Sequence, residues 1–371
     1  MVMRRRSLWA SALTIGAAAL SVAACREPLD DNLSELDAPR ILAVIAIPPE
    51  AAPQEAVTYR AVVADASGEI VDGALDWAYC VARKPQSTLS PVNEACLSAE
   101  GAAIVPFGNG LEATGPLPAD TCRLFGPDPP EVQANAPAGR AVDPDPSGGY
   151  YQPLRVLTGQ RPTEVVIGQT RIACGLAGAT PEVATEFTRR YRRNDNPVLS
   201  SLRWLEGGIE IAPDVDASGH GAPAVTVPLG ARVTLRAAWP ACPERPTCGD
   251  GMCTVGETKD DCALDCEEPT DDCDGDCPEP RGCGGSELYL LQDIERRVLA
   301  LERESIRVSW FTTAGSFEVD HTGRDASEAA AQTSDDVWIA PDAAADATIF
   351  VILRDDRGGT GYGRYRLHVG Q

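Results

Sequence analysis

The sequence predicts a mainly β protein of two antiparallel sandwiches, and three observations carry that expectation. Short apolar or alternating runs recur along the chain, set off by Gly, Pro, Asn and Asp turn signals. Helical spacing takes over in one short stretch, at 180–193. Eight of the 13 cysteines crowd into residues 242–283, between two runs that read as strands.

Arg4, Arg5 and Arg6 make a basic start, and Ser7 to Val22 is apolar and Ala-rich, too short and too soon ended for a membrane span. Residues 1–24 therefore read as a signal peptide. Leu20, Ser21, Val22, Ala23, Ala24 and Cys25 resemble a bacterial lipobox, in which Cys25 becomes the first residue and carries diacylglycerol. Ordinary cleavage after Ala24 is the alternative, because Val22 and Ala24 also suit a small-residue site. Cysteine parity favours the lipid: it leaves 12 cysteines to pair in an oxidising compartment. Arg26 follows Cys25 where an Asp would signal inner-membrane retention, so the expected location is the outer membrane of a bacterial envelope. Loss of three arginines takes the net charge from −23 to −26, which argues against nucleic acid as a partner. Residues 25–39 hold the lipidated Cys25 and a polar tether of about 14 residues, ~45–50 Å at full stretch.

The first domain spans 40–195. Ile41 to Ile47 is an apolar strand stopped by Pro48 and Pro49; Val57 to Asp65 and Ala74 to Cys80 follow, the last carrying Trp77. Residues 81–148 lose periodicity and read as one long loop fastened by Cys96 and Cys122. Strands return at Gly149 to Val156 and Glu164 to Cys174. Thr180 then suits a helix cap and Pro181 its first turn. Val183, Phe187 and Tyr191 share one face, and Arg189, Arg190, Arg192 and Arg193 suit the negative helix end. This short helix is expected to close the first domain.

The second domain spans 196–371. Val198 to Trp204 opens it, and Arg232 to Trp239 alternates with Val233, Leu235, Ala237 and Trp239 on one face. Glu287 to Leu291 and Val298 to Leu301 read as a hairpin in the same sandwich; a single helix carrying Leu288, Leu291, Ile294, Val298 and Leu301 is the alternative. Ile306, Val308 and Trp310 alternate, Ala347 to Arg354 is an apolar strand, and Tyr365, Leu367 and Val369 alternate in the last strand.

Between Cys242 and Cys283, 13 acidic residues face three basic ones and hardly any apolar side chain is present. Such a segment cannot offset its ordering entropy by burial. Cross-links substitute, at ~2–4 kcal/mol each. Cys242, Cys248, Cys253, Cys262, Cys266, Cys273, Cys277 and Cys283 are expected to pair among themselves, by a connectivity the spacing leaves open. Cys80, Cys96, Cys122 and Cys174 then pair in the first domain, Cys80 with Cys96 because they bracket one loop, and Cys122 with Cys174. The stretch from Cys248 to Cys266 resembles the short cysteine-rich repeat of exported myxobacterial proteins. Arg307 to Phe311, Val337 to Pro341 and Arg354 to Gly359 resemble stretches of Ig-like or PKD-like sandwich domains. Gly148 to Pro153 and residues 181–193 are similar to stretches of myxobacterial lipoproteins. These resemblances imply a location and an Ig-like fold, not a reaction.

Candidate chemistry is sparse. His220, His321 and His368 are the only histidines. Asp216, Ser218 and His220 sit too close along one loop for a triad, whose members need separate rigid elements. The cysteine spacings are not the paired C-x2-C of zinc. Asp143, Asp145 and Ser147, and again Asp214, Asp216 and Ser218, share D-x-D-x-S-G, the oxygen spacing that opens a calcium loop. Both copies lack the closing Glu, with Leu154 and Val225 in its place, and solvated acidic turns are the competing reading. No other cofactor is expected. The chain reads as a non-enzymatic, membrane-anchored lipoprotein that binds or supports an envelope protein or polysaccharide. A lipid-anchored hydrolase with an unrecognised acidic site is the alternative.

Overall fold

The computed structural model describes residues 33–84, 92–98, 100–127, 147–158, 165–214, 225–243, 282–324 and 331–371. The first half contributes β1 (Arg40–Ile47), β2 (Glu50–Ala51), β3 (Ala56–Asp65), β4 (Gly68–Glu69), β5 (Leu75–Cys80), β6 (Ile104–Asn109), β7 (Glu112–Pro116), β8 (Gly149–Thr158) and β9 (Val165–Ala173). Two short helices accompany them, α1 (Thr121–Phe125) and α2 (Pro181–Arg190). The second half opens with β10 (Ser201–Trp204), β11 (Ile209–Ile211), β12 (Val225–Pro228), β13 (Arg232–Ala238), β14 (Leu288–Asp293) and β15 (Val298–Arg303). It ends with β16 (Ile306–Thr312), β17 (Ser316–Phe317), β18 (His321–Arg324), β19 (Thr333–Ile339), β20 (Ala345–Asp355) and β21 (Thr360–Gly370).

The two halves repeat one topology. One sheet of the first half has the order β2-β9-β8-β5-β6, and one sheet of the second has β12-β21-β20-β16-β18. In each, a short early strand lies parallel on the half's last strand, and the rest is antiparallel. The opposing sheets are built on β1-β3-β7 and β10-β13-β19. A fully buried tryptophan marks the same strand in both, Trp77 on β5 and Trp310 on β16. The arrangement is that of two Ig-like sandwiches.

Three apolar layers separate the four sheets. Val57, Tyr59, Ala61 and Val63 of β3 pack on Trp77, Tyr79, Leu154 and Ile172 inside the first sandwich. Val233, Leu235 and Trp338 pack on Trp310, Ile349, Val351 and Leu367 inside the second. The third layer lies between the sandwiches: Leu42, Ala43, Ile45, Val62 and Ala64 meet Phe311, Phe350 and Ile352. β1, β3 and β20 are therefore covered on both faces, which is why they read as nearly continuous apolar runs. Residues Ser34–Gln371 make one compact unit.

Four expectations need correction. The tether does not run free to Pro39, because Ser34 and Leu36 are buried and bond to Thr312; an apolar residue alone in a polar stretch leaves no period to read. The loop expected over 81–148 contains β6, β7, α1 and a 3-10 turn at Glu94–Leu97. Pro106 and Gly108 hide β6, which tolerates proline because it is a sheet edge. The hairpin β14–β15 exists, but as a two-stranded sheet apart from the sandwich. Finally, α2 stops at Arg190, short of Arg193, and does not close the first sandwich. Its Phe187 packs with Leu288, Leu290 and Leu299 of that hairpin.

Cys80 pairs with Cys96 and Cys122 with Cys174, the partners expected in the first domain. Cys242 pairs with Cys283 and joins the two ends of the acidic insertion. The other six cysteines expected to pair there, Cys248, Cys253, Cys262, Cys266, Cys273 and Cys277, lie outside the described residues.

Candidate functional site

Charged side chains converge at one end of the stack, where the linker between the halves passes. Pro48 and Pro49 end β1 and hand Glu50 to the short strand β2, in register with Arg171 of β9. The pair is fully buried, with Arg171 Nε 3.3 Å from Glu50. Tyr191, just past α2, donates its hydroxyl to Glu50 at 2.6 Å, and the Asn194 N–H donates to the same carboxylate at 3.0 Å. Arg171 also donates to the Ser147 hydroxyl at 3.0 Å. Gly149 makes room for it, since a Cβ there would overlap the guanidinium.

Next to this pair lies a second guanidinium, Arg357, in the turn after β20. It donates to Glu304 at 2.5 Å, lies 3.5 Å from Glu287, and covers the ring of Tyr289. Asp355 accepts the N–H groups of Arg357 and Gly359 and the amide of Asn194 at 2.8–3.2 Å. Glu287, Glu304 and Asp355 thus face Arg357 as three carboxylates to one guanidinium. Burial pushes all three carboxyls up, Glu287 to about 7, against the pull of Arg357. Burial pulls the Arg357 guanidinium down, but the surrounding acidic groups, Glu304 foremost, outweigh it and raise it above the usual arginine range. Tyr191 is pushed up to about 12 by burial and by Glu50.

A smaller network ties the sandwiches elsewhere. Arg364 of β21 reaches Glu69 of β4 at 2.7 Å and Asp214 at 3.1 Å, while Arg366 reaches Asp214 at 2.8 Å. Arg60 of β3 donates to the Tyr362 hydroxyl at 2.6 Å.

The candidate residues from the sequence fall into these networks or outside the description. Asp143, Asp145, Asp216, Ser218 and His220 lie outside the described residues, as do Cys25 and the interior of the insertion. Ser147 serves Arg171, and Asp214 serves two arginines. Arg364, which Asp214 shares with Glu69, and Arg366 are the cations nearest this carboxylate. His321 and His368 are exposed beside Asp320 and Asp346. Asn194, Asp355 and Arg357 are not among the candidate residues read from the sequence. The available signal was Arg171 inside a strand, since a buried strand arginine needs an anion.

No family model matches the chain, and no curated protein matches it. Among solved structures the chain is similar to the D0-D1 domain of intimin, at 9% identity and a TM-score of 0.18, over 89% of this chain and 99% of that one. It is similar to fibronectin(III)-like modules of Clostridium thermocellum CbhA, at 9% identity and 0.21, over 90% and 95%. The Yersinia pseudotuberculosis adhesin InvE gives 9% identity and 0.18, over 88% and 58%. Scores this low carry no shared fold, and the sandwich assignment rests on the sheets themselves.

Proposed function

We propose that the chain is an exported lipoprotein, anchored through Cys25, whose fused sandwiches form a non-catalytic binding or supporting module at the bacterial outer membrane. One observation carries the reading. The charged groups that converge among the described residues do so in the interior, where they join one half of the molecule to the other. A hydrolase with an acidic site asks for convergent carboxylates open to substrate. Glu287, Glu304 and Asp355 converge on Arg357 instead, with Glu304 and Asp355 buried. What the fold supports is a rigid double sandwich that holds the ends of an acidic insertion together through Cys242–Cys283. Its partner is an envelope protein or polysaccharide. Pull-down from intact cells tests this, with the full chain and with residues 244–281 replaced by a short linker. A partner recovered by the full chain supports the module; recovery of none, together with hydrolytic turnover of an envelope polymer, sinks it. For the anchor, Cys25→Ser should move the protein from the membrane fraction to the soluble one. An unmodified Cys25 in the wild-type protein, found by mass spectrometry, removes it.

A further inference from the structure

The hairpin β14–β15 belongs to neither sandwich. It is a two-stranded sheet set between β13 and β16 in the chain. Leu288, Leu290 and Leu299 of its inner face pack on Leu176, on Phe187 of α2 and on Tyr191 just past it. That cluster shares no residue with the core of either sandwich. A two-stranded hairpin alone is marginally stable in water, so β14–β15 stays ordered only on this seat.

Its two legs are pinned at the base. On the first, the Val198 N–H donates to Gly284 O at 2.7 Å. On the second, Arg357 donates to Glu304 at 2.5 Å, and the Ser305 N–H donates to Asp356 at 3.2 Å. Glu287 stands where the hairpin leaves these pins. It lies 3.5 Å from Arg357 and accepts the Gly284 N–H at 3.3 Å. Its carboxylate and that of Asp195 crowd one spot, where a Cβ on Gly282 would overlap both. The charged groups around it come from every element of the seat: Arg357 and Asp355 from the end of β20 and its turn, Asp195 from the linker, and Glu304 from the end of β15. Tyr289 lies under Arg357, and behind that guanidinium stand Tyr191 and Glu50, the latter paired with Arg171. Arg303 donates to Pro243 O and Ser286 O instead.

We infer that β14–β15 is a flap that lifts off α2 while both sandwiches stay folded, with the Glu287 carboxyl as its catch. Seated, Glu287 shares one guanidinium with Glu304 and Asp355 and faces Asp195. Ionised there, it adds a negative charge where carboxylates already outnumber the cation, and like charges at this range repel. Burial is the main cause that raises the seated carboxyl to about 7, with Asp195 adding to it and Arg357 opposing. Lifted into water, the carboxyl returns to its ordinary value of 4.5. The seated flap therefore binds the proton more tightly than the lifted one. Seating is strongest below about pH 4.5 and weakens as pH rises through 7. Between pH 5 and pH 8 the ratio of seated to lifted flap falls roughly tens-fold.

Hydrogen exchange of the full-length protein tests this, read by mass spectrometry at pH 5 and pH 8 and corrected for the free-amide rate at each pH. Amides of residues 288–303 should exchange faster than those of β20 at both pH values, because the flap opens without the sandwiches. Their protection should fall roughly tens-fold from pH 5 to pH 8. In Glu287→Gln that fall should shrink to a few-fold or less. Asp336→Asn, a change on β19 of the second sandwich, should leave it as in the wild type. Hairpin protection equal to that of β20 means that β14–β15 opens only with the whole molecule, and it overturns the flap. Protection that holds from pH 5 to pH 8, or a fall that Glu287→Gln leaves intact, overturns the catch.

Discussion

Arg357 is one cation facing three carboxylates, and that imbalance sets how the molecule answers pH. The carboxyl of Glu287 is held at about 7 in the fold, against 4.5 when exposed, with burial the main cause. Between those values the folded chain holds a proton that the unfolded chain has released. The contribution is therefore complete below about pH 4.5 and is lost as pH rises through 7. Glu304 and Asp355 shift the same way, and Asp336 of β19, buried with one unbonded oxygen, is pushed up to about 6. Thermal unfolding should show a higher midpoint near pH 5 than near pH 8, and Glu287→Gln should flatten that slope. A wild-type midpoint that climbs from pH 5 to 8 contradicts the arrangement. Arg357→Met leaves the carboxylates without their cation and should cost about 3–5 kcal/mol in urea unfolding. Loss below 1 kcal/mol would show that the cluster is not what joins the halves.

Elements were legible where burial is simple. β1, β3 and β20 could be read from composition because both their faces meet apolar layers, and β13 and β21 because one face does. β6 and β7 could not, since Pro106, Gly108 and Gly115 break the alternation for local reasons. A Cβ at Gly115, for one, would collide with the ring of Phe107, which stacks on Tyr79 at 4.4 Å. The stretch 287–303 fits both helical and strand spacing, and its tight turn, with Arg297 at a φ of 56°, favours the hairpin. Phe350 belongs to the layer between the sandwiches and is fully buried. Phe350→Ala should cost about 3–5 kcal/mol. It should also loosen the coupling, so that tryptophan fluorescence and circular dichroism no longer follow one urea transition. Coincident transitions in that variant would assign the coupling to the charged seam instead.

At the scale of the molecule, the seam was illegible because its members are far apart in sequence. Glu50, Arg171, Asn194, Glu304 and Arg357 come together only through the topology of two sandwiches, whereas periodicity reports one element at a time. The insertion is the reverse case: its composition announced it, and the fold adds how it is held. Cys242 and Cys283 lie 5.4 Å apart at Cα, and Arg303 bridges the adjoining backbone. Residues 244–281 bring few apolar side chains, Met252, Val255, Ala263 and Leu264, Pro, Gly and Cys aside. Replacing those residues with a short Gly/Ser linker should therefore leave the sandwiches intact, because a gap this narrow is closed by a few residues and loop length costs little closure entropy. The variant loses a net ten negative charges and four apolar side chains. Its urea unfolding should remain one transition, shifted by less than about 1 kcal/mol. Peptide mapping should still find Cys80 with Cys96, Cys122 with Cys174 and Cys242 with Cys283. A broadened or split transition, or a cysteine of the first sandwich bonded into the insertion of the wild-type protein, would mean that the insertion is part of the core rather than a loop closed off by Cys242–Cys283.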